Sequence, residues 1–256
     1  MAWIGLVLVG WGLGELSTSA VQASDVDAVR DVAEGRSSLL VTLAHAASFV
    51  GSGYVIVPLA IVVCVILYWL RRRADAYAVA LSAAGAIALS SVVKIIVGRA
   101  RPPVHHLEAV SSGSFPSGHA TQSTAFYLAL LMVVLTGKSR SMRAAAAVAA
   151  VLLIIAIAIS RVYLGVHYPS DVIAGMLLGG TWSVISRRAS ITAFSETSRA
   201  QPGSGRPLCA EAAETMRRSG TASKNLVILN TFLPINAQKQ KWCRKRDSNP
   251  RPRHYE

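Results

Sequence analysis

Val55–Leu70, VIVPLAIVVCVILYWL, is sixteen apolar residues without a charge, and it runs straight into Arg71-Arg72-Arg73. Extended back to Phe49, such a run is long enough to cross the hydrocarbon core of a bilayer, about 30 Å thick. It reads as a membrane-spanning helix halted by cations that stay in water. Reading outward, further runs of the same kind lie at Ala76–Val97, Ala120–Leu135, Ala144–Ile159 (continuing through Val162) and about Val172–Ile185. Residues 1–14, MAWIGLVLVGWGLG, are apolar but short of the roughly 20 residues a span needs. They lack the basic start of a signal peptide and read as a short first span that an upstream start codon could complete. The expectation is an all-α polytopic bundle of about six transmembrane helices. Its domains are 1–48 (first helix and an amphipathic helix), 49–188 (membrane core) and 189–256 (tail).

Composition agrees with the runs. The 256 residues are 52% hydrophobic and 15% charged, where soluble domains carry about a quarter charged residues. The net charge of +13 is uneven, with 12 of the 26 Lys/Arg in residues 191–256. That last stretch lacks apolar periodicity, and its one apolar run, Leu226–Leu233, is too short to span. It reads as a disordered basic tail of the kind an extended reading frame would add. Contact with anionic lipid or RNA is the weaker reading, so no nucleic-acid partner is expected. Cys64, Cys209 and Cys243 form no CxxC spacing, and an odd count suggests neither a disulfide framework nor a zinc site.

Residues 22–48 place Asp25, Asp27, Asp31 and Glu34 ahead of Leu39, Leu40 and Leu43. This reads as one amphipathic helix lying on the membrane or against the bundle, broken by Gly51-Ser52-Gly53. His45 falls on its apolar side and is expected to be a packed side chain. Orientation follows from the cations. Arg71–Arg73, Lys138–Arg143 and Arg187-Arg188 occupy alternate loops, which marks that side as cytoplasmic. The 98–118 loop and the Gly165–Ser170 loop then face outward. Arg99 and Arg101 break the charge rule there, as a phosphate site would require. Gly175-x3-Gly179 fits close packing within one bundle, with helix dimerisation as the alternative. Oligomeric state is left open.

Three clusters carry chemistry. Phe115-Pro116-Ser117-Gly118-His119 reads as a turn opening a helix: Ser117 can cap, and Gly118 allows close approach of the backbone. Amides of a first helical turn can bind an anion, and His119 can carry a proton near neutral pH. Upstream lie Lys94 and Arg101-Pro102. Downstream lie Ser160-Arg161, His167 and Asp171. Each has a bland reading: Lys94 snorkelling, Arg101 as a surface charge, Ser117 as a plain cap, Asp171 as a cap beside an interfacial His167. Arg161, however, is costly inside a membrane unless it faces a polar cavity or a partner.

Together, Lys94-x6-Arg101-Pro102, Pro116-Ser117-Gly118-His119 and Ser160-Arg161-x5-His167-x3-Asp171 resemble the three-part signature of the phosphatidic acid phosphatase type 2 superfamily. That superfamily also includes bacterial acid phosphatases and vanadium haloperoxidases. The resemblance covers roughly residues 50–188 and implies an acid phosphatase/haloperoxidase-like helical core. It further implies His167 as nucleophile, Asp171 as its orienting carboxylate and His119 as general acid and base. Lys94, Arg101 and Arg161, with Ser117 and Gly118, would cradle the phosphoryl oxygens. No metal and no cofactor is expected, because the cations stand in for Mg²⁺. The implied activity is hydrolysis of a membrane lipid phosphate: phosphatidate, phosphatidylglycerol phosphate or a polyprenyl pyrophosphate. The active site would face the outside of a bacterial membrane. Alternatives are a non-hydrolytic lipid-phosphate binder or transporter, and a lipid phosphotransferase; six spans disfavour a haloperoxidase.

Overall fold

The structure is a computed structural model that describes residues 5–6, 9–12 and 21–200, with side chains through 195. Every regular element among the described residues is helical. In chain order they are α1 (Gln22–Glu34), α2 (Ser38–Val50), α3 (Gly53–Trp69), α4 (Arg73–Val97), α5 (Gly118–Val134), α6 (Arg140–Tyr163) and α7 (Pro169–Ala200). The expected tail lies almost wholly outside the described residues, as does much of the expected first span. What is described of that span packs inward. Leu6 is buried with Leu89, Val93 and Leu178, and Gly10 abuts Val93.

The arrangement suits a hydrocarbon solvent. Ile61, Val62, Val65 and Ile66 on α3, and Val148, Leu152 and Ile159 on α6, face outward. In water such faces would form a large sticky patch; in lipid they need no partner. Polar side chains turn inward instead: Ser82, Ser90, Thr121, Ser123, Ser160 and Ser183 are buried. Several are spent on neighbouring backbone, as where Ser82 donates to the Ala125 carbonyl at 2.9 Å.

Among the described residues, three stretches are long and apolar enough to cross a membrane: Ser38–Trp69, Arg73–Val97 and Arg140–Tyr163. At 17 residues α5 reaches only about 25 Å at 1.5 Å per residue. It lies packed against α4 and α6, with Ala120, Phe126, Ala129 and Val133 buried.

Close packing is made possible by small residues. A methyl group added at Gly179 would overlap the Thr121 carbonyl, and one at Gly175 would sit 2.8 Å from the Ser117 carbonyl oxygen. Gly175 and Gly179 thus seat α7 on α5 within one chain. The same contact sets the start of α7 beside the start of α5, where the chemistry lies.

Two boundaries differ from expectation. Residues 22–48 form two helices, because Arg36 leaves the helical path to donate to the carbonyls of Tyr163 (3.0 Å) and His105 (2.9 Å). Ser37 then caps α2 through Leu40 N–H. The last helix also does not end at Arg187-Arg188 but continues to Ala200; no proline or glycine intervenes before Pro202.

The cationic ends of the helices gather on one side. Arg187 pairs with Asp75, and Arg72 donates to the Val133 carbonyl at 2.7 Å. The 98–117 and 164–168 loops meet on the other, where Leu107 N–H donates to Leu164 O at 3.0 Å.

Gly179→Leu is expected to force α7 off α5 and to lower the thermal unfolding temperature in detergent, an overpacking penalty of roughly 1–3 kcal/mol or more. Gly180→Ala, where an added methyl meets only ordinary contacts beyond 3.7 Å, should leave it unchanged.

Candidate active site

At the loop end, α4 stops at Gly98, whose positive φ of 59° lets its N–H close back onto the Lys94 carbonyl. Lys94 sits in this last turn and points along the helix. Its Nζ donates to Gly113 O at 2.7 Å. Arg101 follows in the loop and braces both loops at once, donating to Ser112 O at 2.9 Å and to Val166 O at 2.5 Å. The chain then returns through Ser114 to Ser117, the N-cap of α5.

These segments enclose a cavity of about 1010 Å³. Of the eight expected site residues, five line it: Lys94, Arg101, His119, Arg161 and His167. Ser117, Gly118 and Asp171 do not. Ser117 is fully buried, and its Oγ accepts from Ala120 N–H while its backbone carbonyl takes the Thr121 hydroxyl at 2.9 Å. Its side chain is therefore engaged as a helix cap. Asp171 lies behind His167, fully buried, with Oδ2 3.5 Å from His167 Nδ1. That separation is long for a hydrogen bond, and Nδ1 has no closer partner; such pairs tighten when substrate binds. With Nδ1 turned to Asp171, Nε2 is the nitrogen left for chemistry.

Asp171 is itself strongly held. It accepts from Arg99 Nη1 at 2.7 Å, from Tyr168 N–H at 2.9 Å and from the Ser114 hydroxyl. Burial pushes the His167 imidazole down to about 4, against the upward pull of Asp171, so the ring is neutral at pH 7. A neutral ring oriented by a carboxylate is the form a nitrogen nucleophile requires.

Two residues escaped the sequence reading. Glu108 lines the cavity and accepts from Arg161 Nη1 at 2.6 Å and from Ser48 Oγ at 2.9 Å. Burial alone would raise its carboxyl, but the Arg161 charge and these hydrogen bonds outweigh that and hold it below the usual carboxylate range. Its available signal was being the one acid in a cationic loop. His45, expected to be packed away, also reaches the cavity and lies 3.5 Å from Glu108. Arg99, whose breach of the charge rule a phosphate site would account for, does not line the cavity.

The cavity thus has three cations against one carboxylate, three imidazoles (His45, His119 and His167), and a helix N-terminus beside it. Near its mouth stand Phe49, Tyr54, Val57 and Pro58, the first three well exposed on the bundle's surface. This is an integral membrane protein, helical throughout its described residues, with a cation-lined pocket at one end of the bundle. Residues 75–194 match the model of the PAP2 superfamily.

Known proteins agree. Decaprenylphosphoryl-5-phosphoribose phosphatase of Mycobacterium tuberculosis (strain CDC 1551 / Oshkosh) is 39% identical over 119 residues, covering 45% of this chain and 61% of that protein. Phosphatidylglycerophosphatase B of Bacillus subtilis (strain 168) is 29% identical over 170 residues, covering 64% and 82% respectively. The chain therefore spans about three fifths of the mycobacterial relative's length. The crystal structure of a transmembrane PAP2-type phosphatidylglycerolphosphate phosphatase from Bacillus subtilis shares the fold. Its TM-score is 0.67 at 24% identity, over 74% of this chain and 96% of that one.

Vanadate or inorganic phosphate should bind the purified protein, and Arg161→Ala should weaken binding about ten- to a hundredfold, the range for hydrogen bonds to a charged group. Glu108→Gln should tighten it, because Arg161 is then released from its internal partner. Ser117→Ala should leave anion affinity near wild type while lowering stability by about 1 kcal/mol for the lost cap. Calorimetric titration and thermal melts measure these three effects.

Proposed function

We propose that the protein is an integral membrane phosphatase that hydrolyses a lipid phosphate or pyrophosphate through a phosphohistidine. The observation that carries this reading is the cavity's two-sided character. A cationic, histidine-bearing floor adjoins a mouth of Phe49, Tyr54, Val57 and Pro58 on the lipid-facing surface. A phosphate on an acyl or prenyl chain matches both halves; a soluble phosphate uses only one. Both relatives described above are named for lipid-linked phosphates.

In this reading the entering phosphate brings negative charge beside His119, which takes up a proton with it. His167 Nε2 attacks phosphorus, the bond from phosphorus to the lipid oxygen breaks, and His119 delivers its proton to that leaving oxygen. Water then attacks the phosphohistidine, His119 takes its proton, and the P–N bond breaks to release phosphate and neutral His167. Asp171 offsets the positive charge that His167 develops as it attacks. Lys94, Arg101 and Arg161 neutralise the non-bridging oxygens, which is the main demand of phosphoryl transfer. The first-turn amides of α5, Gly118 included, add a further positive end. Arg161 must exchange Glu108 for the phosphoryl group as substrate enters. By the distribution of cations, the site opens on the extracytoplasmic face of a bacterial membrane.

The test is phosphate release by detergent-purified protein with EDTA present, offered phosphatidate, phosphatidylglycerol phosphate and polyprenyl pyrophosphate. Activity on at least one is expected, and His167→Ala should lose on the order of a thousandfold or more. Retained binding with no release would support a carrier or binder; phosphate passed to an alcohol in place of water would support a phosphotransferase.

The pH dependence has a definite sign. His167 must be neutral to attack, and its affinity for a proton is depressed to about 4. As regards this group, kcat/KM should hold on the acid side until about pH 4 and fall as pH drops through that value. An acid limb near 6.5 would mean that His167 is not the attacking base or is not buried as described.

A further inference from the structure

Asp171 cannot orient His167 unless something orients Asp171, and the strongest of its neighbours is Arg99, which stands at a position the first signature segment leaves unspecified. Arg99 is 6% exposed and spreads its guanidinium between two helices. Nη1 donates to Asp171 Oδ1 at 2.7 Å and to Ser170 Oγ at 2.7 Å; Nη2 donates to Asp25 Oδ2 at 2.9 Å. The group lies over Tyr168, its Cζ 4.2 Å from the ring centroid. Asp25 is 3% exposed and also accepts from Ser170 N–H at 3.2 Å.

Asp25 belongs to α1, otherwise an acidic surface helix. It shares a buried face with Val29, four residues on, and that face turns toward the site. The division of Asp171 is informative. Oδ1 goes to Arg99, while Oδ2, which faces His167, takes Ser114 and Tyr168. Arg99 therefore sets which edge of the carboxylate meets the imidazole. The two carboxylates and one guanidinium also carry a formal charge of −1, the complement of the cation that His167 becomes on attack. A planar fork can serve both acids at once; an ammonium cannot.

We propose that Arg99 and Asp25 are positioning residues for the His167–Asp171 pair, forming with Asp171 a buried bridge that aims the carboxylate and balances the imidazolium. The inference rests on the phosphohistidine reading above. It makes α1, which lies outside the family's matched region, part of the catalytic apparatus.

The test uses full-length protein in detergent, with active sites counted by vanadate binding so that kcat is expressed per competent site. Arg99→Lys and Asp25→Asn should each lower kcat about ten- to a hundredfold, the scale of a misplaced reacting group, with KM within about twofold. The acid limb of kcat/KM supplies a readout that scaffold damage would not move. Around His167, the surrounding Lys94, Arg101, Arg161, His119 and Glu108 are unchanged in every variant. Asp25→Asn removes a negative charge and should move the limb to lower pH; Arg99→Gln removes a positive charge and should move it to higher pH. Opposite shifts support the proposal.

Wild-type kcat and limb in Asp25→Asn and Arg99→Lys would overturn it. So would losses accounted for wholly by fewer vanadate-binding sites, or limbs that fail to move in opposite directions. If Arg99→Gln does not fold, Asp25→Asn decides alone by the direction of its shift. An inactive wild type, or an active His167→Ala, would instead sink the phosphatase reading itself.

Discussion

Asp171 is where separate parts of the chain are tied together. Its carboxylate takes donors from Arg99, Ser114 and Tyr168, and its backbone carbonyl takes the N–H of Ser117. The loop after α4, the cap of α5 and the start of α7 are thereby fixed to one residue. A fully buried carboxylate is tolerable only when so completely paired. The same pairing that makes it tolerable also assembles the pocket, because His119 follows from the α5 cap and His167 from the turn before α7.

The second constraint is charge economy. Three cations facing one small cavity repel one another, and each would be costly at the edge of a bilayer without a partner. Loop carbonyls take Lys94 and Arg101. Arg161, with no such carbonyl, is held by Glu108 and Ser48. An incoming phosphate dianion is thus a better counter-ion for a site already organised to hold it. Little rearrangement is then needed in reaching the charge distribution of phosphoryl transfer.

The membrane explains why the scaffold can be so economical. Lipid removes the drive to hide apolar side chains, so helices associate through small residues and internal hydrogen bonds. Gly175 and Gly179 against α5, and Gly85 against the Trp182 ring, bring backbones close where larger residues would hold them apart. The proximity of α5 and α7 is the same contact that sets His119 and His167 around one cavity.

The apolar runs and their flanking arginines were enough to determine an all-helical membrane protein and, within a few residues, the ends of α3 through α6, because hydrocarbon leaves the backbone no alternative to helix. Motif spacing likewise pointed Lys94, Arg101, His119, Arg161 and His167 to one end of the bundle, since each stands in the last or first turn of a helix or in the loop just beyond it. Tertiary structure alone decided the rest. It placed Glu108 on Arg161 and turned Arg99 away from the cavity to Asp171. It also folded α1, legible only as a polar surface helix, so that Asp25 reaches the site. Those outcomes depend on which donors and acceptors meet across 50 to 145 residues of chain, and no local pattern of hydrophobicity or charge encodes such a pairing.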